Sequence, residues 1–346
     1  MTTKYIALMA TIVAAKAEYN NEYVVLPGNT KENHIISPLP HTYIEDDDLP
    51  DSWNWNDVDG KSCLTHMLNQ HIPQYCGSCW AHASISSLAD RIKIAQNCEG
   101  NDINLSIQFV LNCSDDVGGS CHGGSHTGVH QFIHEYGYIP YDTCMPYIAC
   151  SDDSDEGFCA QVDTTCSPIN TCRTCSGFQV SGGECTALDA FPYATIAEYG
   201  VIGGYDERVM KIKKEIYARG PVSASINSKP LHDYMGGVFN DDTASKHCNH
   251  VVSIVGWDRD DDDVEYWIIR NSWGAYWGEE GFFRVATGSN MLGLEHKVAW
   301  STPGKFTITN TPCTMGGTCK DISNSGFQEY VDPSVLYLAK NVDATN

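Results

Sequence analysis

The segment Gln70-His71-Ile72-Pro73-Gln74-Tyr75-Cys76-Gly77-Ser78-Cys79-Trp80 places a cysteine where its thiol can be activated. From Trp80 on, Ala81, Ile85, Leu88, Ile92 and Ala95 recur at helical spacing, predicting a helix over 80–96 with Ser78 as its cap. Cys79 therefore stands at a helix start, where unpaired N–H groups and the positive end of the helix dipole favour thiolate. Such a nucleophile needs an imidazole partner and a group that holds the imidazole. Two apolar runs, Val251–Val255 and Tyr266–Arg270, predict buried strands joined by an acidic turn over 258–263. Asn249-His250 precedes the first run and Asn271 follows the second. A His and an Asn on neighbouring strands can act as base and orienting group.

Other readings of these residues compete. Cys76-x-x-Cys79 could be a redox pair, but the polar, Pro73-containing approach is poor strand sequence. Cys76 and Cys79 could hold zinc with Cys172 and Cys175, although flanking cysteines in a secreted chain more often form disulfides. Taken singly, His250 reads as a core histidine; the joint pattern favours nucleophilic catalysis. The five acids of the turn form a solvated hairpin tip, without the ligand spacing of a calcium loop. No metal site and no cofactor are expected.

The elements that position these groups must fit in 346 residues, enough for one large domain or two modest ones. With 44 Asp+Glu against 21 Lys+Arg and a net charge of -23, the surface would repel nucleic acid and anionic membranes. Sixteen Cys point to an oxidising, secretory compartment. Lys4, the short apolar run Tyr5–Ala14 and the small-x-small Ala15-Lys16-Ala17 predict a signal peptide over 1–17, leaving Glu18 first. No later segment is long and apolar enough to span a membrane. Residues 18–48 are polar, lack Cys and end in Glu45-Asp46-Asp47-Asp48, which suggests a removable leader or an ordinary arm. A second helix lies within 198–219, with Val209, Ile212, Ile216 and Tyr217 on one face, stopped by Gly220-Pro221. Helices dominate the first half and strands the second, predicting an α+β protein of two lobes.

Gln70 upstream of Cys76-Gly77-Ser78-Cys79-Trp80, Asn249-His250-Val251 and Asn271-Ser272-Trp273-Gly274 together resemble the papain family of cysteine peptidases. Cys121-His122-Gly123-Gly124 is similar to that family's glycine-rich substrate wall, which makes Gly123 and Gly124 substrate-binding candidates. The resemblance implies a papain-like fold with a helical, Cys-rich lobe at about 60–188, a β-barrel-like lobe at about 189–303 and the cleft between them. It frames a propeptide at 18–48, a peptidase domain at 49–303 and an extension at 304–346, expected as a flexible tail pinned by Cys313–Cys319. It gives Cys79 as nucleophile, His250 as base, Asn271 as its orienter, Trp273 as a shield over that contact, and Gln70 with the Cys79 N–H as oxyanion hole. Peptide and protein substrates, protein inhibitors of cysteine peptidases, a monomeric state and a lysosomal, vacuolar or extracellular location follow as expectations.

A finer resemblance concerns the nine-position interval from Gln70 to Cys79, three longer than usual in the family. His71-Ile72-Pro73-Gln74-Tyr75 resembles the mini-loop of the cathepsin X branch, lysosomal carboxypeptidases that remove single C-terminal residues. Leu49-Pro50-x-Ser52-Trp53, Ala81-His82-Ala83-Ser84 and Ala89-Asp90-Arg91-Ile92 match the same branch. The resemblance implies that His71 holds the substrate's terminal carboxylate and Tyr75 positions it. It also implies disulfides Cys76–Cys121, Cys113–Cys166, Cys144–Cys172 and Cys175–Cys185; Cys150–Cys159 and Cys313–Cys319 rest on spacing alone. Cys63, Cys98 and Cys248 are left over, and an odd number leaves at least one free or bonded to another chain. The leader lacks the cysteine that bonds the catalytic thiol in that branch, so its latency is expected to be steric or weak. Asn104 and Asn112 open glycosylation sequons, the second beside a cysteine expected in a bridge. An endopeptidase with a repurposed loop and a catalytically silent binding protein remain as alternatives.

Overall fold

The computed structural model describes residues 21–177, 182–204, 207–309, 312–320 and 326–335. The signal-peptide reading and the start of the leader lie outside the described residues. The first half folds around helix α1 (Cys79–Ala95), with α2 (Ile107–Cys113) and α3 (His126–Tyr136) against it. The second half is a mostly antiparallel sheet joined by α4 (Arg208–Arg219). Its main strands are β1 (Tyr193–Val201), β2 (Val222–Ile226), β3 (His250–Arg259), β4 (Glu265–Arg270), β5 (Phe282–Ala286) and β6 (Val298–Thr307), in the order β1-β6-β2-β3-β4-β5.

The chemistry of α1 explains its place. Every residue from Cys79 to Ile92 is buried, so the helix is enclosed on all faces. Ala81, Ala83, Ser84, Ser86, Ser87 and Ala89 keep it thin enough for close packing. Ser84 and Ser87 donate to the carbonyls of Trp80 and Ala83, and Ser87 Oγ meets Ser253 Oγ on β3 at 3.0 Å. β3 is likewise buried from His250 to Trp257, a continuous run rather than an alternation, because α1 covers the sheet there. This contact sets the start of α1 beside the start of β3.

A buried ion pair fixes the neighbouring strand. Asp90 of α1 accepts from Arg270 Nη1 (3.0 Å) and from the Thr65 amide and hydroxyl (2.7 and 2.8 Å), and Arg270 donates back to the Thr65 carbonyl (2.8 Å). Asn271 follows Arg270 directly. Removing one partner of a buried pair costs about 3–5 kcal/mol. Asp90→Ala should therefore lower unfolding stability by roughly that amount, read as a shifted denaturant midpoint at unchanged m-value. A loss under 1 kcal/mol would mean that the pair is not what holds this strand to α1.

Packing crosses the boundaries expected at about 60, 188 and 303. Trp55, Cys63 and Leu64 belong to the core of the sheet lobe, and residues 53–54 pair with β3. Ala194, Ile196 and Tyr199 of β1 pack into the helical core. The extension does not begin as a tail: β6 runs through Thr307, Phe327–Glu329 pairs with it, and Asp332 lies 2.9 Å from Arg219 Nε. The leader is docked as well. Glu198 accepts from the Ile36 and Ser37 amides (2.9 and 3.1 Å), while Arg219 donates to Ser37 Oγ and the Pro38 carbonyl (2.7 Å each). Buried polar side chains of the body thus find partners in the leader and the extension.

The structure bonds Cys76–Cys121, Cys113–Cys166, Cys144–Cys172, Cys150–Cys159, Cys175–Cys185 and Cys313–Cys319, and adds Cys63–Cys98. Cys79 and Cys248 are free. These bonds rule out both the redox pair and the zinc site. Asn112 is 2% exposed, donates to the Asn170 carbonyl (3.2 Å) and accepts from Gln108 (2.9 Å), so it cannot take a glycan in the folded chain.

Candidate active site

Cys79 is the first residue of α1, and Ser78 ahead of it makes no side-chain capping bond; its hydroxyl meets Tyr147 (2.8 Å) and His82 (3.2 Å) instead. His250 opens β3 and Asn271 follows β4. His250 Nε2 lies 2.9 Å from Asn271 Oδ1, and the Trp273 ring packs over the imidazole at 4.9 Å between centroids. The Cys79 sulfur, a His250 ring nitrogen and a carboxylate oxygen all lie within 4.8 Å of one another. That carboxylate belongs to Glu22, in the leader.

Glu22 is the functional group that sequence reasoning missed. Its carboxylate accepts from Gln70 Nε2 (3.0 Å) and from the Tyr75 hydroxyl, and it faces His250 Nδ1 at 3.3 Å. Its backbone is held from both lobes. The Glu22 amide donates to the Asn249 carbonyl (3.0 Å), and the Gly124 amide donates to the Glu22 carbonyl (3.1 Å). The Val24 amide completes a parallel bridge to the Gly124 carbonyl (2.9 Å). Gly124 is glycine because a Cβ there would meet the Gly118 carbonyl oxygen at 2.4 Å and the Trp80 ring at 2.6 Å. No local pattern marks Glu22; its signal is its partners, which come from positions 70, 75 and 250.

Burial pushes the Glu22 carboxyl up, but the hydrogen bond and charge of His250, with the Tyr75 and Gln70 bonds, outweigh it and hold the group at about 2. The same anion acts on the thiol. Burial and then the Glu22 charge push Cys79 well above its ordinary value, overriding the helix-start groups that favour thiolate. With Glu22 docked here, burial and its charge favour the thiol over the thiolate expected at this position.

Gln70 is fixed by neighbours that the sequence did not single out. Its Oε1 accepts from Ser272 Oγ (2.6 Å), its amide donates to the Ser272 carbonyl (2.8 Å), and its carbonyl accepts from Tyr147 (2.7 Å). Its Nε2, satisfied by Glu22 and the Cys76 carbonyl (3.1 Å), is aimed into the site. His71 stacks on Tyr75 at 4.9 Å and on Trp273 at 6.3 Å, with its Nε2 buried and unpartnered. The loop is tied down by Gln74, whose Nε2 donates to the Ala149 carbonyl (3.3 Å). His232, also overlooked, stacks on Trp273 at 4.9 Å. Gly123 lies beside Gly124 on the wall that the leader covers. Cys248 lies outside the Glu22, Cys79 and His250 group, and burial raises its thiol.

This geometry accords with the relatives. A model of papain family cysteine proteases matches residues 49–302. The chain belongs to the papain family. It is 37% identical over 266 residues to a cathepsin Z of Onchocerca volvulus, covering 74% of this chain and 79% of that protein. It is 30% identical over 249 residues to a cathepsin B-like cysteine proteinase of Caenorhabditis elegans, covering 66% and 68%. Among solved structures, a digestive procathepsin L2 from Tenebrio molitor larval midgut superposes with a TM-score of 0.61 at 22% identity, covering 82% of this chain and 78% of that one. Bromelain from Ananas comosus, in complex with the E64 inhibitor, gives 0.54 at 26%, covering 73% and 99%. This papain-family cysteine peptidase accordingly has peptides as substrates. Its two-lobe α+β architecture is that of these neighbours, and among the described residues no helix is long and apolar enough to cross a membrane.

Proposed function

We propose that the chain is the latent form of a cysteine carboxypeptidase that removes single residues from peptide and protein C-termini. In this reading residues 18–48 are the propeptide and 49–303 the peptidase domain, with a lysosomal or vacuolar location. Cys79 attacks the carbonyl of the last peptide bond, and His250, oriented by Asn271, protonates the departing amine. The Gln70 side-chain N–H and the Cys79 amide take up the charge on the tetrahedral oxygen. His250 then draws a proton from water, which attacks the thioester carbonyl and frees Cys79.

One observation carries the choice of exopeptidase. His71 and Tyr75 stack on each other at 4.9 Å beside the catalytic centre, with a buried, unpartnered nitrogen on His71 and a carboxylate already bound by the Tyr75 hydroxyl. A protonated His71 can hold a terminal carboxylate through a charge-assisted bond.

The test compares a peptide with its C-terminal amide, using processed enzyme and reading products by mass. His71→Ala should slow release of a free C-terminal residue by roughly 10–100-fold, since hydrogen bonds to charged groups contribute about 1.5–3 kcal/mol. Amide cleavage should change little, and equal loss on both substrates would make the loop structural support for Gln70. The pH profile is a second readout. Burial lowers His71, Glu22 opposes that, and His250 adds to it. The imidazole holds its proton only below its own pKa, and that value lies under the ordinary 6.5. kcat/KM for the free acid should therefore begin to fall below pH 6.5 as pH rises, while the amide lacks this limb. A free-acid profile still rising above that pH would remove the role given to His71.

A further inference from the structure

We propose that Gln70, Tyr75 and His250 form a carboxylate-binding site which Glu22 of the leader fills, making the leader a removable anionic plug. This rests on the peptidase reading above and adds the chemistry that keeps the enzyme latent.

Covering the cleft would need only the backbone pairing of the leader with Gly124 and Asn249. The structure shows more. Glu22 is 7% exposed, and its carboxylate takes the Gln70 N–H and one nitrogen of His250, the two groups assigned above to oxyanion and proton. Its position next to Cys79 keeps the nucleophile protonated. One side chain thus disables the donor, the base and the nucleophile together. It also resists cleavage, because the carbon presented beside the thiol belongs to a carboxylate, which is a poor acceptor of a nucleophile. The ligand class is an anionic carboxylate, one oxygen shared by Gln70 Nε2 and His250 Nδ1 and the other accepting from the Tyr75 hydroxyl.

The plug does not open on mild acidification. The titratable groups around Glu22 are His250, Tyr75 and Cys79, then His71, His82, Tyr147 and His232. Glu22 is depressed from 4.5 to about 2, so its contribution is complete above 4.5 and is lost only as pH falls towards 2. Between pH 7 and 5 the carboxylate stays charged, and activity must come from removal of the leader.

The experiment uses the full chain and measures iodoacetamide labelling of Cys79 by peptide mass. Wild type, Glu22→Gln, Glu22→Ala and Val24→Pro are compared with the processed enzyme. Val24→Pro removes the amide that pairs with Gly124 and leaves the carboxylate in place. Both Glu22 variants should label at least tenfold faster than wild type and faster than Val24→Pro. Wild type should stay slow from pH 7 to 5. A synthetic peptide of residues 18–30 should inhibit processed enzyme at least tenfold better than its Glu22→Gln form. Fast labelling of the processed enzyme, with Glu22→Gln as slow as wild type, would overturn the plug and leave the peptidase reading standing. So would equal inhibition by the two peptides, or a tenfold rise in wild-type labelling without cleavage between pH 7 and 5. Processed enzyme no faster than the full chain would remove both the plug and the nucleophile beneath it.

Discussion

Cys79→Ala should abolish peptide hydrolysis in the processed enzyme while leaving the fold intact. The side chain is small, fully buried and free of any disulfide, so its loss removes one sulfur from a packed site. Trimming a single buried heavy atom costs about 1 kcal/mol, within the stability of an ordinary domain. The chemistry, by contrast, loses its only covalent route. Triad knockouts in other hydrolases cost on the order of 10⁶-fold in kcat, and the remaining rate comes from oxyanion stabilisation and binding. Hydrolysis should therefore fall to background with little change in melting temperature. Cys248 cannot substitute, because its raised thiol lies outside the Glu22, Cys79 and His250 group. Activity above about one per cent of wild type would remove Cys79 as nucleophile.

Gln70→Ala should lower kcat by roughly 10²–10³-fold, the usual cost of removing one oxyanion donor. The Gln70 amide group is oriented before substrate arrives: Ser272 binds its oxygen and the Cys76 carbonyl binds its nitrogen. Such a donor is worth most where charge develops, so the loss should appear in kcat with KM nearly unchanged. Iodoacetamide reacts with Cys79 without forming an oxyanion, so its labelling rate in the processed variant should stay near normal. A parallel fall in hydrolysis and labelling would show instead that Gln70 supports the local fold between residues 70 and 79. Ser272→Ala should produce a smaller fall of the same kind, since it frees the amide to rotate.

Local signals lie along single segments of the sequence, whereas assembled ones form only where distant segments meet. Helix α1 was readable because its apolar residues recur along one segment, and the real helix, Cys79–Ala95, differs by one residue at each end. β3 and β4 were readable as unbroken apolar runs, with His250 and Asn271 at their ends. The docking of Phe327–Glu329 and Asp332 has no local signal, because their anchors, strand β6 and Arg219, lie far away in sequence. The pairing of Cys63 with Cys98 was hidden for the same reason, since connectivity depends on where the ends of α1 and the 53–65 segment meet.

The sequence by itself determined the reactive types and their order: a cysteine at a helix start, a histidine and an asparagine at strand ends, and a glutamine ahead of a lengthened loop. Those assignments need only short-range patterns, because helix starts and buried strands are specified within a few residues of themselves. Only the tertiary structure decided the state of the site. Glu22 has no motif, and its carboxylate matters because the docked leader brings it to Gln70, Tyr75 and His250 at once. Charge interactions depend on distance and burial rather than on sequence spacing, so a thiol that local reading makes a thiolate is held protonated by an anion 57 positions upstream.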